Sequence, residues 1–261
     1  MGGSNGMMQG LADTAKPQTA TPQKRATKSS TVYQDLKRKI LTGGLTADSP
    51  ITEQALAQEY ECSQSTIREA LMLLQEYGLV VRKGYQGTFV TNPTPVEAAL
   101  LLTIRIDLET AGVMQSVERI QASEIATLRQ LGTEFEACRA RRDVFGAAEI
   151  DRQLHTKLFE HAGLPVLEPI LTRTIMQLQQ IMLPRPRGES AWTTPMVTPH
   201  DAIFDALEDG DKTGAVAAVR SHILSSAVRL APHVYGENMA TLGRNLDQGS
   251  ADAPSLVRSA G

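Results

Sequence analysis

The chain has 261 residues, 41% hydrophobic and 21% charged, with a formal net charge of −3, which suits a soluble protein of one large or two ordinary domains. Aromatics supply only 4%, so the core must be mainly aliphatic, which favours helices over strands. Apolar runs fall short of the roughly 18 residues a membrane span needs, a secretory signal pattern is lacking, and Cys62 and Cys138 make no disulfide framework; a cytoplasmic protein without a membrane partner is expected.

Residues 1–30 are rich in Gly, Thr, Ser, Gln, Ala and Pro and carry Lys16, Lys24, Arg25 and Lys28. A disordered basic tail is expected, either a solubilising leader or an arm that touches DNA phosphate. Residues 31–91 form the first domain. "TVYQDLKRKILTG" spaces Val32, Leu36, Ile40 and Leu41 for a helix that stops at Gly43-Gly44. "TEQALAQEY" starts with Thr52 as N-cap and buries Leu56. "SQSTIREALMLLQEYG" starts at Ser63, carries the stripe Ile67, Leu71 and Leu74, and closes at Gly78. "LVVRK" and "TFVT" flank Gly84 and Gly87 as a hairpin. Three helices and a hairpin predict a winged helix-turn-helix.

The second helix of such a unit enters the major groove by its N-terminal residues. Here these are Ser63, Gln64, Ser65 and Thr66, followed by Arg68, which suit phosphate and base-edge contacts. Lys37 and Arg38 would meet backbone phosphate, and Lys83 and Gly84 stand at the wing tip. Residues 1–91 hold ten Lys/Arg against eight Asp/Glu, a balance that permits DNA binding without requiring it. In the alternative reading Ser63 only caps, Arg68 pairs with Glu61 or Glu76, and the module binds protein.

Residues 63–71 ("SQSTIREAL") and 77–90 carry most of a resemblance to the N-terminal domain of GntR-type bacterial transcription regulators. The resemblance implies DNA contacts from Arg38, Gln64, Thr66, Arg68 and Gly84. Gln54 and Gln64 stand where the family often has Arg. Arg reads guanine and Gln prefers adenine, so an operator that departs from the family's common core is expected.

Residues 92–96 are expected to be a linker, since "TNPTP" (91–95) has two prolines in five residues. Residues 97–235 show helical periodicity throughout and predict a bundle of six or seven helices, with a loose tail over 236–261. The fold class is mainly α: an N-terminal winged helix-turn-helix and a C-terminal all-helical bundle.

Within "DVFGAAEIDRQLHTKLFEHAG" the inward stripe takes Val144, Ala147, Ala148, Asp151, Leu154, His155, Leu158 and Ala162. Asp151 and His155 thus fall on the dry face, and His161 does not. His200 precedes Ile203, Phe204 and Leu207, and His222 follows Ala215, Ala218 and Val219; both sit on apolar stripes, whereas His233 does not. Each alone reads as a satisfied core residue, with Asp151 and His155 paired. Together, one Asp and three His make a shell for a divalent transition metal with open positions.

"DRQLH" (151–155), "HDAIFDALEDGD" (200–211) and "RSHI" (220–223) resemble the FCD effector domain of the FadR subgroup of GntR regulators. The resemblance covers residues 31 to about 235 and implies one divalent ion per chain at Asp151, His155, His200 and His222, completed by a small carboxylate effector. Zinc is expected first; nickel, manganese and iron also suit such ligands. Leu164 stands where the family often has Asn. Arg105 shares a helix face with Leu101, Leu102, Leu108 and Glu109, where it would clamp a carboxylate or only pair with Glu109. Trp192 is placed at the pocket mouth, with filler as its alternative.

The expected function is that of a homodimeric regulator, a repressor, on a pseudo-palindromic operator, with a small organic acid sensed through the metal. It is not expected to be an enzyme: the stripes show no spare glutamate or histidine as a general base, and an enzyme does not need residues 31–91. A metal-dependent enzyme, or a metal sensor without an organic effector, is the alternative.

Overall fold

The computed structural model describes residues 1–2, 27–183 and 200–236. The expectations for Trp192, most of the N-terminal tail and nearly all of the C-terminal tail concern residues outside this range.

The N-terminal unit holds helices α1 (Lys28–Leu41), α2 (Glu53–Glu59) and α3 (Gln64–Glu76), each begun by a side-chain cap from Thr27, Thr52 or Ser63. These hydroxyls accept from backbone N–H groups that the first turn leaves orphaned. The Thr27 cap lets α1 start three residues ahead of the expected boundary at 31. Strands β1 (Val80–Arg82) and β2 (Thr88–Val90) pair antiparallel with Val81 opposite Phe89. The wing between them turns at Gly84 and Gly87, with φ of +49° and +103°, which glycine adopts without steric cost.

α4 (Pro95–Ser116) begins inside the expected linker. Thr94 and Glu97 form a reciprocal capping box, and Pro95 occupies the first turn, where its missing N–H costs nothing and its fixed φ suits the helix. Then follow α5 (Ala122–Ala140), α6 (Val144–Glu160), α7 (Glu168–Met182), α8 (Asp201–Glu208), α9 (Lys212–Leu230) and the single turn α10 (Pro232–Tyr235). Seven helices therefore follow the wing among the described residues, and the fold is mainly α.

The two units share a core. Val32, Leu36, Leu71 and Val80 pack in one apolar cluster with Phe135, Phe145, Ala147, Ala148 and Met176. A second cluster joins Leu102 and Ile106 of α4, Leu154 and Leu158 of α6, Phe204 of α8, and Val219 and Ile223 of α9. α4 and α6 approach closely at Gly112, where an added Cβ would lie 2.4 Å from the Phe159 ring. Ser116 Oγ nearby donates to the Leu158 carbonyl across 2.9 Å. This contact sets how far α4 side chains reach into α6. On its outer face α4 exposes Val96, Leu100 and Ile104.

Candidate functional site

The second core holds a polar centre. α6 brings in Asp151 and His155 one turn apart, α9 brings in His222, and His200 stands at the start of α8. One ligand atom from each lies within 4.8 Å of the others. Asp151 Oδ1 is the hub: His200 Nε2 is 3.2 Å from it, His155 Nε2 3.7 Å and His222 Nε2 3.8 Å. The three imidazoles are almost fully buried, while the Asp151 side chain is 15% exposed, so the carboxylate marks the open side.

α4 supplies a second layer. Glu109 Oε2 accepts from His155 Nδ1 at 2.5 Å, and Glu109 Oε1 accepts from Arg105 Nε at 2.6 Å. Arg105 Nη2 lies 3.9 Å from Asp151 Oδ2. With Nδ1 as the donor to Glu109, neutral His155 keeps its free lone pair on Nε2, toward the cluster. That Nε2 is buried and has no hydrogen-bond partner among the described residues, and neither has Arg105 Nη2. A buried polar atom without a partner is costly. A divalent ion among the four side chains relieves the first, and an anion beside it relieves the second, so the donor set fits a metal.

Burial opposes ionisation of Glu109, but His155 and Arg105 outweigh it and hold its pKa at about 2. Burial likewise opposes ionisation of Asp151, and the histidines keep its carboxyl well below the ordinary range. Burial would lower His155, yet Glu109 and Asp151 raise it to about 9 in the metal-free protein. Burial and the neighbouring His222 push His200 down to about 4. Two histidines of the cluster thus differ: His200 is already neutral near pH 7, and His155 must shed a proton to bind a metal.

The four-residue spacing pairs Glu109 with Arg105, and the structure adds a second partner, His155 on another helix. Tied on both oxygens and held at about 2, Glu109 is a poor general base at neutral pH.

On the N-terminal unit, Gln54, Ser63, Gln64, Ser65, Arg68, Lys83 and Gly84, expected at DNA, are exposed, and Thr66 is half-buried. Ser63 Oγ accepts from the Thr66 amide, so it caps α3 as expected. Arg68 pairs with Glu53, not with Glu61 or Glu76. Arg38 is exposed and stacks its guanidinium 4.2 Å from the Phe145 ring of α6. Lys37, expected at phosphate, is instead buried against Glu149.

Residues 28–90 match the family of bacterial regulatory proteins called gntR, and residues 100–225 match the FCD domain. The chain is 24% identical to the uncharacterized HTH-type transcriptional regulator YdhC of Bacillus subtilis, over 73% of this chain and 85% of that one. It is 23% identical to the HTH-type transcriptional regulator LutR of the same organism, over 65% of this chain and 85% of LutR. Its fold resembles that of Escherichia coli McbR, with a TM-score of 0.60 at 17% identity, covering 84% of this chain and 99% of McbR.

Proposed function

Because the chain belongs to the GntR family of bacterial transcription regulators and carries the FCD domain, a family of regulators rather than enzymes, we propose that it represses transcription by binding a pseudo-palindromic operator as a homodimer. A small organic acid, bound at a divalent ion held by Asp151, His155, His200 and His222, controls its affinity for that operator.

The observation that carries this reading is the cluster itself: three buried imidazoles and one carboxylate within 4.8 Å, with Arg105 beside them. A bound divalent ion would leave coordination positions open to a carboxylate oxygen. Charge favours the same ligand. With His155 neutral, a divalent ion and Arg105 outweigh Glu109 and Asp151 by one positive charge, so the site attracts an anion. Arg105 offers that anion its Nη2, which has no hydrogen-bond partner among the described residues. Imidazole and carboxylate ligands suit zinc first, with nickel, manganese or iron as other fits.

α6 links the two ends of the molecule. Asp151 and His155 sit at its middle and beyond, and Phe145 and Glu149 nearer its start touch Arg38 and Lys37 of α1. A ligand that shifts α6 would therefore shift the winged helix, provided it binds one arrangement better than the other. Dimerisation has support in Val96, Leu100 and Ile104, an exposed apolar row on α4, and two half-sites need two readers. A cytoplasmic location is the reading that a DNA partner supports. Separately, no described helix is long and apolar enough to cross a membrane.

Elemental analysis of the purified chain, with mass spectrometry of what copurifies, tests the site. We expect about one divalent ion per chain, lost in an Asp151→Ala, His155→Ala double variant. Gel shifts titrated with carboxylates, with and without chelator, test the control. DNA binding that ignores both additives overturns the effector reading. Response to chelator alone leaves a metal sensor without an organic effector.

A further inference from the structure

Glu53, in the first turn of α2, joins three elements of the DNA-reading unit. Its Oε2 accepts from Arg68 Nη2 of α3 at 2.7 Å and its Oε1 from Arg68 Nε at 3.3 Å. The same Oε1 accepts from Arg82 Nη2 of strand β1 at 2.5 Å. Helix-turn, groove-entering helix and wing thus meet on one carboxylate. Both arginines hold that carboxyl below its ordinary range, so it stays charged.

Arginine has five N–H donors in a rigid fork. Glu53 engages Arg68 side-on, through Nε and one hydrogen of Nη2. Both Nη1 hydrogens and the second Nη2 hydrogen remain, and they form the end of the fork. That end is the edge that takes two acceptors at once, such as guanine O6 and N7 or two phosphate oxygens. A free arginine side chain loses rotamer freedom when it reads a base; one already held loses less. Arg68 remains about half exposed despite the pair, so its free edge is open to a duplex. The pair's own contribution to stability is small, as for exposed ion pairs generally, and this points to a role other than holding the fold.

We propose that Glu53 is a positioning residue for operator reading: it aims the Arg68 guanidinium and ties the wing to α3 through Arg82, so that specificity depends on a residue that itself repels DNA. This rests on the DNA-reading function stated above. Glu53 is a carboxylate on a face that meets phosphate, so it lowers affinity for any duplex. By orienting Arg68 it raises affinity for the correct one. The two effects oppose each other, and a residue with a merely structural role would not separate them.

The test uses the full chain and a duplex that it selects from a random-sequence pool, with a scrambled duplex of the same composition as the non-specific probe. In Glu53→Gln we expect scrambled-duplex affinity to rise and its salt slope to steepen by about one to two, as freed cations reach phosphate. The ratio of selected to scrambled affinity should fall at least about fivefold. In an Arg68→Ala background the same substitution should change that ratio by less than about twofold, because its effect passes through Arg68. Thermal midpoints should stay close to that of the parent. An unchanged ratio in Glu53→Gln overturns the proposal. So does an equal fall of both affinities with a lower midpoint, which makes Glu53 a structural tie only. If the parent chain selects no sequence, the DNA-reading function itself fails, an outcome distinct from either.

Discussion

Lys37 Nζ lies 2.6 Å from Glu149 Oε2, and this ion pair crosses from the winged helix to the helix that carries Asp151 and His155. The Lys37 side chain is 2% exposed and that of Glu149 15%. Burial pulls the Lys37 pKa down more than Glu149 raises it, so the pair does not fully offset the cost of removing the ammonium from water. Such a contact contributes little net stability, but it is expensive to break on one side only. It fixes where α1 sits on α6.

Removing one partner should therefore hurt more than removing both. Glu149→Ala leaves a buried ammonium and should cost about 3 kcal/mol, while Lys37→Met with Glu149→Leu should stay within about 1 kcal/mol of the parent or exceed it. Urea unfolding of the two variants beside the parent measures this. A single variant as stable as the parent would show that Lys37 escapes to water when unpaired.

Metal affinity should depend on pH through His155. Its folded pKa is raised to about 9 from 6.5, so in the metal-free chain its proton contributes stability that is fully present below 6.5 and lost as pH rises through about 9. A metal must displace that proton. Apparent affinity for added zinc should then tighten by up to about tenfold per pH unit between 6.5 and 9 and level off above. His200, lowered to about 4, adds nothing in this window. Calorimetric titration at several pH values checks the slope, and a flat profile would mean that His155 is neutral before the metal arrives.

Glu109→Gln removes the charge that faces His155 and Arg105 and leaves one accepting oxygen for two donors. We expect metal affinity to fall by about 10- to 100-fold and stability to fall by about 3 kcal/mol. The two readouts separate the roles: a stability loss with metal affinity unchanged would confine Glu109 to pairing with Arg105.

Gly112 carries no chemistry, yet the site depends on it. A side chain there meets the Phe159 ring well inside van der Waals distance, so Gly112→Val should push α4 away from α6. We expect a loss of about 1–3 kcal/mol together with weaker metal binding, because Glu109 rides on α4. Full metal affinity in a destabilised variant would show that Glu109 follows His155 without the helix contact.

Local pattern carried much of this molecule. The N-caps at Thr52 and Ser63, the stripe of α3 and the glycine wing were legible because each depends on neighbours within one turn. The helix stripes also placed His155, His200 and His222 on dry faces and the exposed His233 off them, since burial of a helix face follows its 3.6-residue period; His161, read as off the stripe, is instead half-buried beside Glu124 of α5. Where the sequence misled, the partner lay far along the chain. Pro95 is a local exception: it looked like a helix breaker and is a helix start, because the Thr94–Glu97 capping box makes it a first-turn residue.

The sequence by itself determined, through helical period, that Asp151, His155, His200 and His222 turn inward, and so which residues were available to a metal. Only the tertiary structure decided what each one meets. Glu109 is four residues from Arg105 and 46 from His155, and no periodicity reports the second partner. Lys37 carries a charge that sequence alone sends to phosphate, and the docking of α6 buries it against Glu149. Glu53 finds Arg68 and Arg82 only when helix-turn and wing fold onto each other. Helical period is set by backbone geometry within a few residues, whereas these pairings arise from packing between elements distant along the chain, which local pattern does not specify.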